Sequence, residues 1–577
     1  MKTLKKFFNI LSKKNKIKSF YLLLLVLIGV IFEMLSIGLL LPLLTAMSNE
    51  GQNQYINLDL IYNKLDIVNT LNKNEIIMYS MSLLAFIYFL KTIFLNFLVW
   101  FQAKFISFLV AETKIKLFKK YMYQDYAFHL KRNSSKLIQN IINEVELMIN
   151  VFFLSLIAFI SELLVVLGIS LILLFVEPRG FLMSMAVFGI ISLAFMKYTK
   201  NKVKKYGDQR LINESSSIKH LQQGVDGIKE IKLVGNEEVF LNYFKLRANN
   251  IASVASKMLI LQQIPRFYLE FIAIISLTAL IFFLLMFNYA FSSLIVIVGL
   301  FAAAAFKILP SINRILNSYV NMRYGIASVG VISEDINMQS PKIDEKFSRE
   351  KKLALISKIE LKNISYNYPS TKKNILENLN LEIHANSTIG IIGESGVGKS
   401  TLIDIIIGIL NPTDGKVLID GSNISNQKRL WQNNIGYIPQ FIYLLDDSIK
   451  KNIALGAEDS EINEKKIIRA MELSQTERFV RNLPEKNETF VGEFGVRLSG
   501  GQRQRIGIAR ALYFDNDLLV LDEATSSLDG DTEKDIINTI HSMKGKKTII
   551  ISSHKKEILK ECDAVFKLDD KKIFKYS

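Results

Sequence analysis

The feature that most constrains this chain is a 28-residue apolar stretch, residues 20–47, broken only by Glu33 and a few small or polar residues. Crossing the hydrocarbon core of a bilayer takes about 20 apolar residues of helix, so the stretch reads as a membrane span rather than a soluble core element. A secretory leader fits less well, because its apolar segment is only ~7–15 residues long and ends at a small-residue cleavage site. Five further runs follow at residues 76–100, 151–176, 181–196, 271–287 and 290–306. The last two form one uncharged block, which is divided near Asn288 because 36 residues are too many for a single crossing. Six spans over residues 20–330 are therefore expected, an all-α six-helix transmembrane domain.

Charge sets their direction. The chain carries 71 Lys+Arg against 54 Asp+Glu, a net +17. Residues 1–350 hold +15 of this and residues 351–577 only +2, so the excess lies with the apolar part, as in membrane proteins with basic cytoplasmic loops. The implied partner is the lipid bilayer, with no nucleic acid. Seven lysines precede the first run, and residues 104–136 and 197–257 are also basic, whereas residues 48–75 hold two lysines against four acids. Both termini are expected to be cytoplasmic. Residues 1–19 form an amphipathic segment whose Leu4, Phe7, Phe8 and Ile10 would lie on the inner leaflet. Residues 56–68 suit a short outer helix or a plain loop equally. The single cysteine, Cys562, has no partner for an internal bridge.

Residues 104–150 and 197–263 are too polar for the bilayer but suit helix, so the spans should extend into the cytosol and turn there. Asn133-Ser134-Ser135 and Gly224-Val225-Asp226-Gly227 mark the turns, and these tips are candidates for contact with a second domain. Residues 331–354, interrupted by Pro341 and by charges, read as a linker.

From residue 355 to 577 short β-branched runs alternate with helical stretches, the pattern of an α/β domain. A buried strand, Ile389-Gly390-Ile391-Ile392, leads into Gly393-Glu394-Ser395-Gly396-Val397-Gly398-Lys399-Ser400-Thr401. This is a P-loop in its strand, loop, helix context. Its glycines turn backbone amides onto phosphates, Lys399 reaches the β- and γ-phosphates, and Ser400 offers a hydroxyl to Mg²⁺. The strand Leu518-Leu519-Val520-Leu521 ends in Asp522-Glu523. Asp522 is placed to hold the Mg²⁺ shell and Glu523 to orient or deprotonate the attacking water.

With Leu498-Ser499-Gly500-Gly501-Gln502 preceding that strand by about twenty residues, the nucleotide part resembles the ABC family, whose signature pentapeptide and motif order it shares. The resemblance implies an α/β P-loop (ABC-type) nucleotide-binding domain that uses ATP and Mg²⁺. Tyr368 resembles the aromatic that stacks on adenine, Gln440 the Q-loop glutamine that joins Ser400 and Asp522 at the metal, and His554 the switch histidine. Ser526-Ser527-Leu528-Asp529 resembles the D-loop and Thr489-Phe490-Val491-Gly492-Glu493 the exporter X-loop. Lys555 departs from the arginine usual after the histidine. In this family the signature of one nucleotide domain closes over ATP held by another. Ser499, Gly500, Gly501 and Gln502 thus imply a dimer, most simply a homodimer, with Glu523 and His554 as the catalytic pair.

Six spans ahead of one such domain resemble exporter half-transporters. Their cargo contacts are sought among cations in apolar helices, since a charge at membrane depth costs at least a few kcal/mol unless it faces a cavity or a partner. Lys91, Arg266, Lys307 and Arg314 are the candidates. Lys307 and Arg314, seven residues apart, share one helix face and suit an anion. Alternatively, Arg266 pairs with Glu270 at i+4, and Lys307 and Arg314 lie in a cytosolic extension; Glu33 and Glu162 are expected countercharges. Residues 264–270, 309–314 and the Gly393-Glu394-Ser395-Gly396 loop resemble the PglK-type flippases of lipid-linked oligosaccharides in bacterial protein N-glycosylation. That resemblance implies a polyprenyl-pyrophosphate glycolipid as cargo and the bacterial inner membrane as location. A general lipid or multidrug exporter, and an ATP-gated channel or regulator, are the alternatives.

Overall fold

The structure, a computed structural model, describes residues 2–39, 73–287, 291–339, 351–369, 371, 373–525, 528 and 530–577. The expected outer element at residues 56–68 and the D-loop residues Ser526, Ser527 and Asp529 lie outside the described residues. The chain divides into two compact units, residues 1–124 with 132–340, and residues 125–131 with 341–577.

The first unit is helical. It contains α1 (Lys2–Ile10), α2 (Lys13–Gly38), α3 (Lys73–Met122), α5 (Ser134–Gln139), α6 (Leu154–Val176), α7 (Pro178–Asp226), α8 (Ile228–Val234), α9 (Glu237–Met286) and α10 (Phe291–Asn337); α4 (Tyr126–Lys131) belongs to the second unit. Among the described residues, six helices are long and apolar enough to cross a membrane. The 50-residue helices α3 and α9 are about 75 Å long at 1.5 Å per residue, more than twice a ~30 Å hydrocarbon core. The spans therefore continue well beyond the bilayer, as their polar extensions require. The uncharged block breaks where one crossing becomes too long, with α9 ending at Met286 and α10 starting at Phe291. Pro178 opens α7 at a position where a missing N–H costs nothing. Gly227 interrupts the helix at the second tip, and Gly235, at φ +71°, ends α8 in the left-handed conformation that glycine adopts freely. Between α5 and α6 the backbone widens into π-helical turns at Asn140–Glu144 and Leu147–Phe153.

One expectation needs correction here and another is refined. Part of the apolar side of the amphipathic α1 is covered by protein, while Phe8 stays 37% exposed. Phe7 is fully buried, stacked on Phe153 at 4.9 Å and 5.8 Å from Phe152, and Lys116 donates to the Ile10 carbonyl at 2.9 Å. The linker also begins later than residue 331, because α10 stays helical through Asn337 with Ile332 and Ile336 buried.

The second unit is α/β. A four-stranded antiparallel sheet has the order β2-β1-β4-β5, with β1 (Lys358–Tyr366), β2 (Leu376–His384), β4 (Asp414–Ile419) and β5 (Ser422–Asn423). A six-stranded sheet has the order β10-β9-β3-β8-β7-β6, with β3 (Thr388–Ile392), β6 (Ile435–Ile438), β7 (Leu518–Asp522), β8 (Thr548–Ser552), β9 (Ala564–Asp569) and β10 (Lys572–Lys575). Both β7 and β8 are buried throughout, which explains why they read as unbroken apolar runs. Helix α11 (Lys399–Ile406) follows β3, and Trp431, fully buried, donates from its indole to the Ile406 carbonyl at 2.8 Å to fix the end of that helix. Helices α12 (Glu464–Leu473) and α13 (Gly500–Tyr513) pack together in a separate apolar cluster.

Candidate functional site

Ligand sites in parallel α/β sheets form at the carboxyl ends of the strands. Here the parallel register sets Ile391 opposite Ser552, and Ser552 opposite Asp522, so the P-loop, Asp522-Glu523 and Ser553-His554 emerge side by side. Gly393 is required for space: a Cβ there would lie 2.6 Å from the Leu568 carbonyl. Gly398 is required for its backbone, at φ +113° just before α11. Lys399, 6% exposed, donates from Nζ to the carbonyls of Gly393 at 2.9 Å and Glu394 at 3.1 Å, so it lies along the loop it is expected to serve.

Three side chains converge on Glu523. Gln440 Nε2 donates to Glu523 Oε2 at 2.8 Å, His554 Nε2 lies 3.0 Å from Oε1, and Lys399 Nζ lies 3.7 Å from Oε1. Glu523 itself sits at φ +50°, a conformation that costs a non-glycine residue about 1–3 kcal/mol and that clusters at functional sites. His554 Nε2 is also 3.1 Å from Lys399 Nζ. A proton on Nε2 serves the carboxylate and its lone pair serves the ammonium, so the ring does one or the other. Burial, together with the Glu523 charge, pushes the Asp522 carboxyl up, and the neighbouring Ser400 and Ser552 hydroxyls pull it back. Burial and the Asp522 charge raise Asp404, one turn along α11 from Ser400, to about 6.

Tyr368 comes to the same place. Its hydroxyl shares a 3.0 Å hydrogen bond with that of Thr401, and its ring stands edge-on to Tyr366 at 5.2 Å. Ser499 caps α13: its hydroxyl accepts from the Gln502 N–H at 3.2 Å, and its own N–H donates to Gln502 Oε1 at 2.9 Å. Gly500 and Gly501 open that helix. Lys555, the departure from arginine, holds both oxygens of Glu533 at 2.6 Å. Ser400, Asp522 and the Gln440 amide form a hard-oxygen donor set, and Mg²⁺ typically takes only one or two protein oxygens alongside phosphate. A cation there would also offset the burial that disfavours ionised Asp522, so these residues fit that ion.

In the first unit all four candidate cations have carboxylates. Lys91 and Lys307 share Glu33, at 2.8 and 2.7 Å, and Lys91 also reaches the Ser36 hydroxyl at 3.4 Å. Arg314 pairs with Glu162 at 2.6 Å and Arg266 with Glu270 at 2.8 Å. The stripe inferred for Lys307 and Arg314 is therefore charge-compensated. Four cations meet three carboxylates, and the surplus positive charge sits on the Glu33 pair.

The structure adds a buried network without a sequence signal. Arg210, 3% exposed on α7, forms two bonds to Glu144 at 2.9 and 2.8 Å and reaches Glu214 at 3.0 Å and the Ser328 hydroxyl at 3.1 Å. Gln139 donates to Glu144 at 3.0 Å. One turn away, Gly207 lets α7 approach α10 closely, since a Cβ there would lie 2.5 Å from the Tyr324 carbonyl.

The family described as ABC transporter transmembrane region matches residues 3–307, more than half the chain, and the family described as ABC transporter matches residues 376–526. The chain belongs to the ABC transporters. This ABC transporter is 28% identical over 473 residues to the ATP-dependent lipid A-core flippase of Syntrophus aciditrophicus (strain SB), covering 81% of this chain and 77% of that one. It is also 28% identical over 491 residues to the protein of that name from Haemophilus influenzae (strain 86-028NP), covering 82% and 79%. The structure of a bacterial Atm1-family ABC exporter with ATP bound superposes with a TM-score of 0.78 at 19% identity, covering 97% of this chain and 94% of the other. The fold is thus that of an ABC exporter half-transporter, a multi-pass membrane protein whose ATPase domain follows six spans.

Proposed function

We propose that this ABC transporter is an ATP-driven flippase, working as a homodimer, that moves a polyprenyl-pyrophosphate-linked oligosaccharide from the inner to the outer leaflet of a bacterial inner membrane. One observation carries the cargo class: the surplus cation held at membrane depth by Lys91, Glu33 and Lys307. An uncompensated charge in apolar surroundings is costly, and an anionic lipid head completes it. The relatives named as lipid A-core flippases support a lipid as the transported class.

In this reading Lys399 and the Gly393–Gly398 amides bind the phosphates, and Ser400, Asp522 and Gln440 hold Mg²⁺, which neutralises charge on the phosphates. Glu523, fixed by Gln440 and His554, takes the proton of the attacking water, while His554 contacts the γ-phosphate. Ser499 and Gly501 at the start of α13 close over the nucleotide of the partner copy, as the positive end of a helix suits an anion.

The test is ATP-dependent flipping of a polyprenyl-pyrophosphate oligosaccharide in proteoliposomes. Lys91→Gln with Lys307→Gln, in parallel with Arg314→Gln and Arg266→Gln, is expected to slow flipping about tenfold or more, the factor for roughly 1.4 kcal/mol of lost anion contact, with basal ATP hydrolysis retained. The double variant Arg314→Gln/Glu162→Gln separates a lost cation from a lost ion pair, and it should be as slow as Arg314→Gln alone. Unchanged flipping in all of these points to a general lipid or drug exporter. Flux on ATP binding without hydrolysis points to a gated channel.

A further inference from the structure

The chain passes between the two units at three places: into the second unit after Gln124, back after Lys131, and into the second unit again after residue 340. Residues flanking all three passages meet on one carboxylate. Asp335, 2% exposed near the end of α10, accepts on Oδ2 from the Tyr121 hydroxyl and from Asn140 Nδ2 at 2.8 Å. On Oδ1 it accepts from Arg132 Nη1 at 2.7 Å. Tyr121 comes just before the first passage, Arg132 is the first residue after the second, and Asp335 comes just before the third. Gln124 adds a direct tie, donating from Nε2 to the Gln339 carbonyl at 3.2 Å. Asn140 opens the first π-helical turn and also donates to the Tyr121 hydroxyl at 3.1 Å.

The cluster lies far from the bilayer. Tyr121 is about 72 Å along α3 and Asp335 about 66 Å along α10, each more than twice a ~30 Å hydrocarbon core. A buried carboxylate carries a desolvation cost that its partners offset only in good geometry, and apolar side chains would close the same space without it. What the carboxylate adds is direction. It only accepts, so every partner must be a donor, and here the donors come from separate stretches of chain. Releasing one of them leaves a buried charge short of a donor, which is strongly unfavourable. An apolar cluster, whose attraction is non-directional, would let the same segments slide.

We infer that Asp335 is the positioning residue that transmits the ATP cycle to the spans. It holds the three passages as one body, so that a displacement of the second unit is delivered to α3, to α10 and, through Asn140, to the π-helical turns ahead of α6. This role needs no contact with nucleotide or cargo.

The test follows hydrogen exchange of the full chain in phospholipid nanodiscs, with and without ATP and vanadate, and steady ATP hydrolysis on the same preparation. Trapping by vanadate is expected to change uptake across residues 134–176 of the parent. Asp335→Asn keeps the size of the side chain but brings an N–H group to where donors already point. In that variant the change in uptake should shrink at least about fivefold, the lower end of ordinary coupling between sites. ATP hydrolysis should stay within about twofold of the parent, a barrier change of ~0.4 kcal/mol. Arg132→Gln should uncouple likewise, and Arg132→Lys should not, since lysine keeps the charge. Tyr121→Phe, which removes one donor and keeps the ring, is the variant to read should Asp335→Asn fold poorly. A full response in both Asp335→Asn and Tyr121→Phe, or a parent whose first unit does not respond to trapping, would overturn the inference. So would a response that falls only together with hydrolysis and the thermal midpoint, the mark of a fastening with no part in transmission. ATP and vanadate are the probes, so none of these outcomes depends on the cargo proposed above.

Discussion

Replacing Glu523 by glutamine is expected to lower steady-state ATP hydrolysis by about 10²–10⁴-fold, the range that a positioned general base contributes, and to stop transport with it. The substitution keeps the size of the side chain and removes its ability to accept a proton. Gln440 Nε2 still has an oxygen to donate to at the 2.8 Å position, and His554 still has a polar neighbour at 3.0 Å, so the site is not expected to collapse. Lys399 is tied to the Gly393 and Glu394 carbonyls independently of Glu523, hence ATP affinity should change by less than about threefold, under ~0.7 kcal/mol. Single-turnover hydrolysis and nucleotide binding measured on the same preparation separate the two effects. Undiminished turnover would remove Glu523 from the chemistry and leave its strained backbone and three partners without a catalytic purpose.

What the sequence disclosed, and what it concealed, follows from how far apart the interacting residues lie. The P-loop is contiguous, and its function is carried by backbone and by neighbours within nine residues, so it was legible in full. Asp522-Glu523 was legible because a buried strand must end before charges begin. His554 and Gln440 had to be placed by resemblance, because the parallel register that brings them to Glu523 joins strands 30 and 83 positions apart in the chain, beyond the reach of local periodicity. In the membrane unit, hydropathy gave the spans but not their partners. Glu33 meets Lys307 across 274 positions, and periodicity carries no information at that range. The amphipathic pattern of α1 was legible as a pattern, but not that Phe7 and Ile10 meet protein, since an apolar face does not specify whether membrane or protein covers it. The Arg210 network was concealed most completely. A lone arginine and a lone glutamate on polar helical extensions look like solvated residues until the helices are packed.

That network sets the second large effect. Arg210 lies 32 residues beyond Pro178, about 48 Å along α7, well past the span, so its energetics are those of a soluble interior. Arg210→Ala leaves the Glu144 carboxylate, which is fully buried, with only the Ser328 hydroxyl and the Gln139 amide as donors. Losing one partner of a buried pair costs about 3–5 kcal/mol, whereas replacing both partners with apolar groups of similar size is often neutral. Arg210→Ala should therefore lower the thermal midpoint of the full transporter in detergent by several degrees, given roughly 2–4 °C per kcal/mol for a unit of 150–250 residues and somewhat less for a larger one. Arg210→Met/Glu144→Leu should recover most of that loss, because Glu214, more exposed at 20%, is able to turn to water. ATP binding by the second unit is the control for global damage and should not change. Because the network joins α5 and the π-helical turn to α7 and α10, the repaired double variant also separates stability from motion. A variant that regains its midpoint but hydrolyses ATP without transporting identifies the charges as part of the switch between membrane states. One that regains both identifies them as a fastening between helices. An Arg210→Ala midpoint within about one degree of the parent would show that Glu144 finds water or another donor, and the network would then carry neither role.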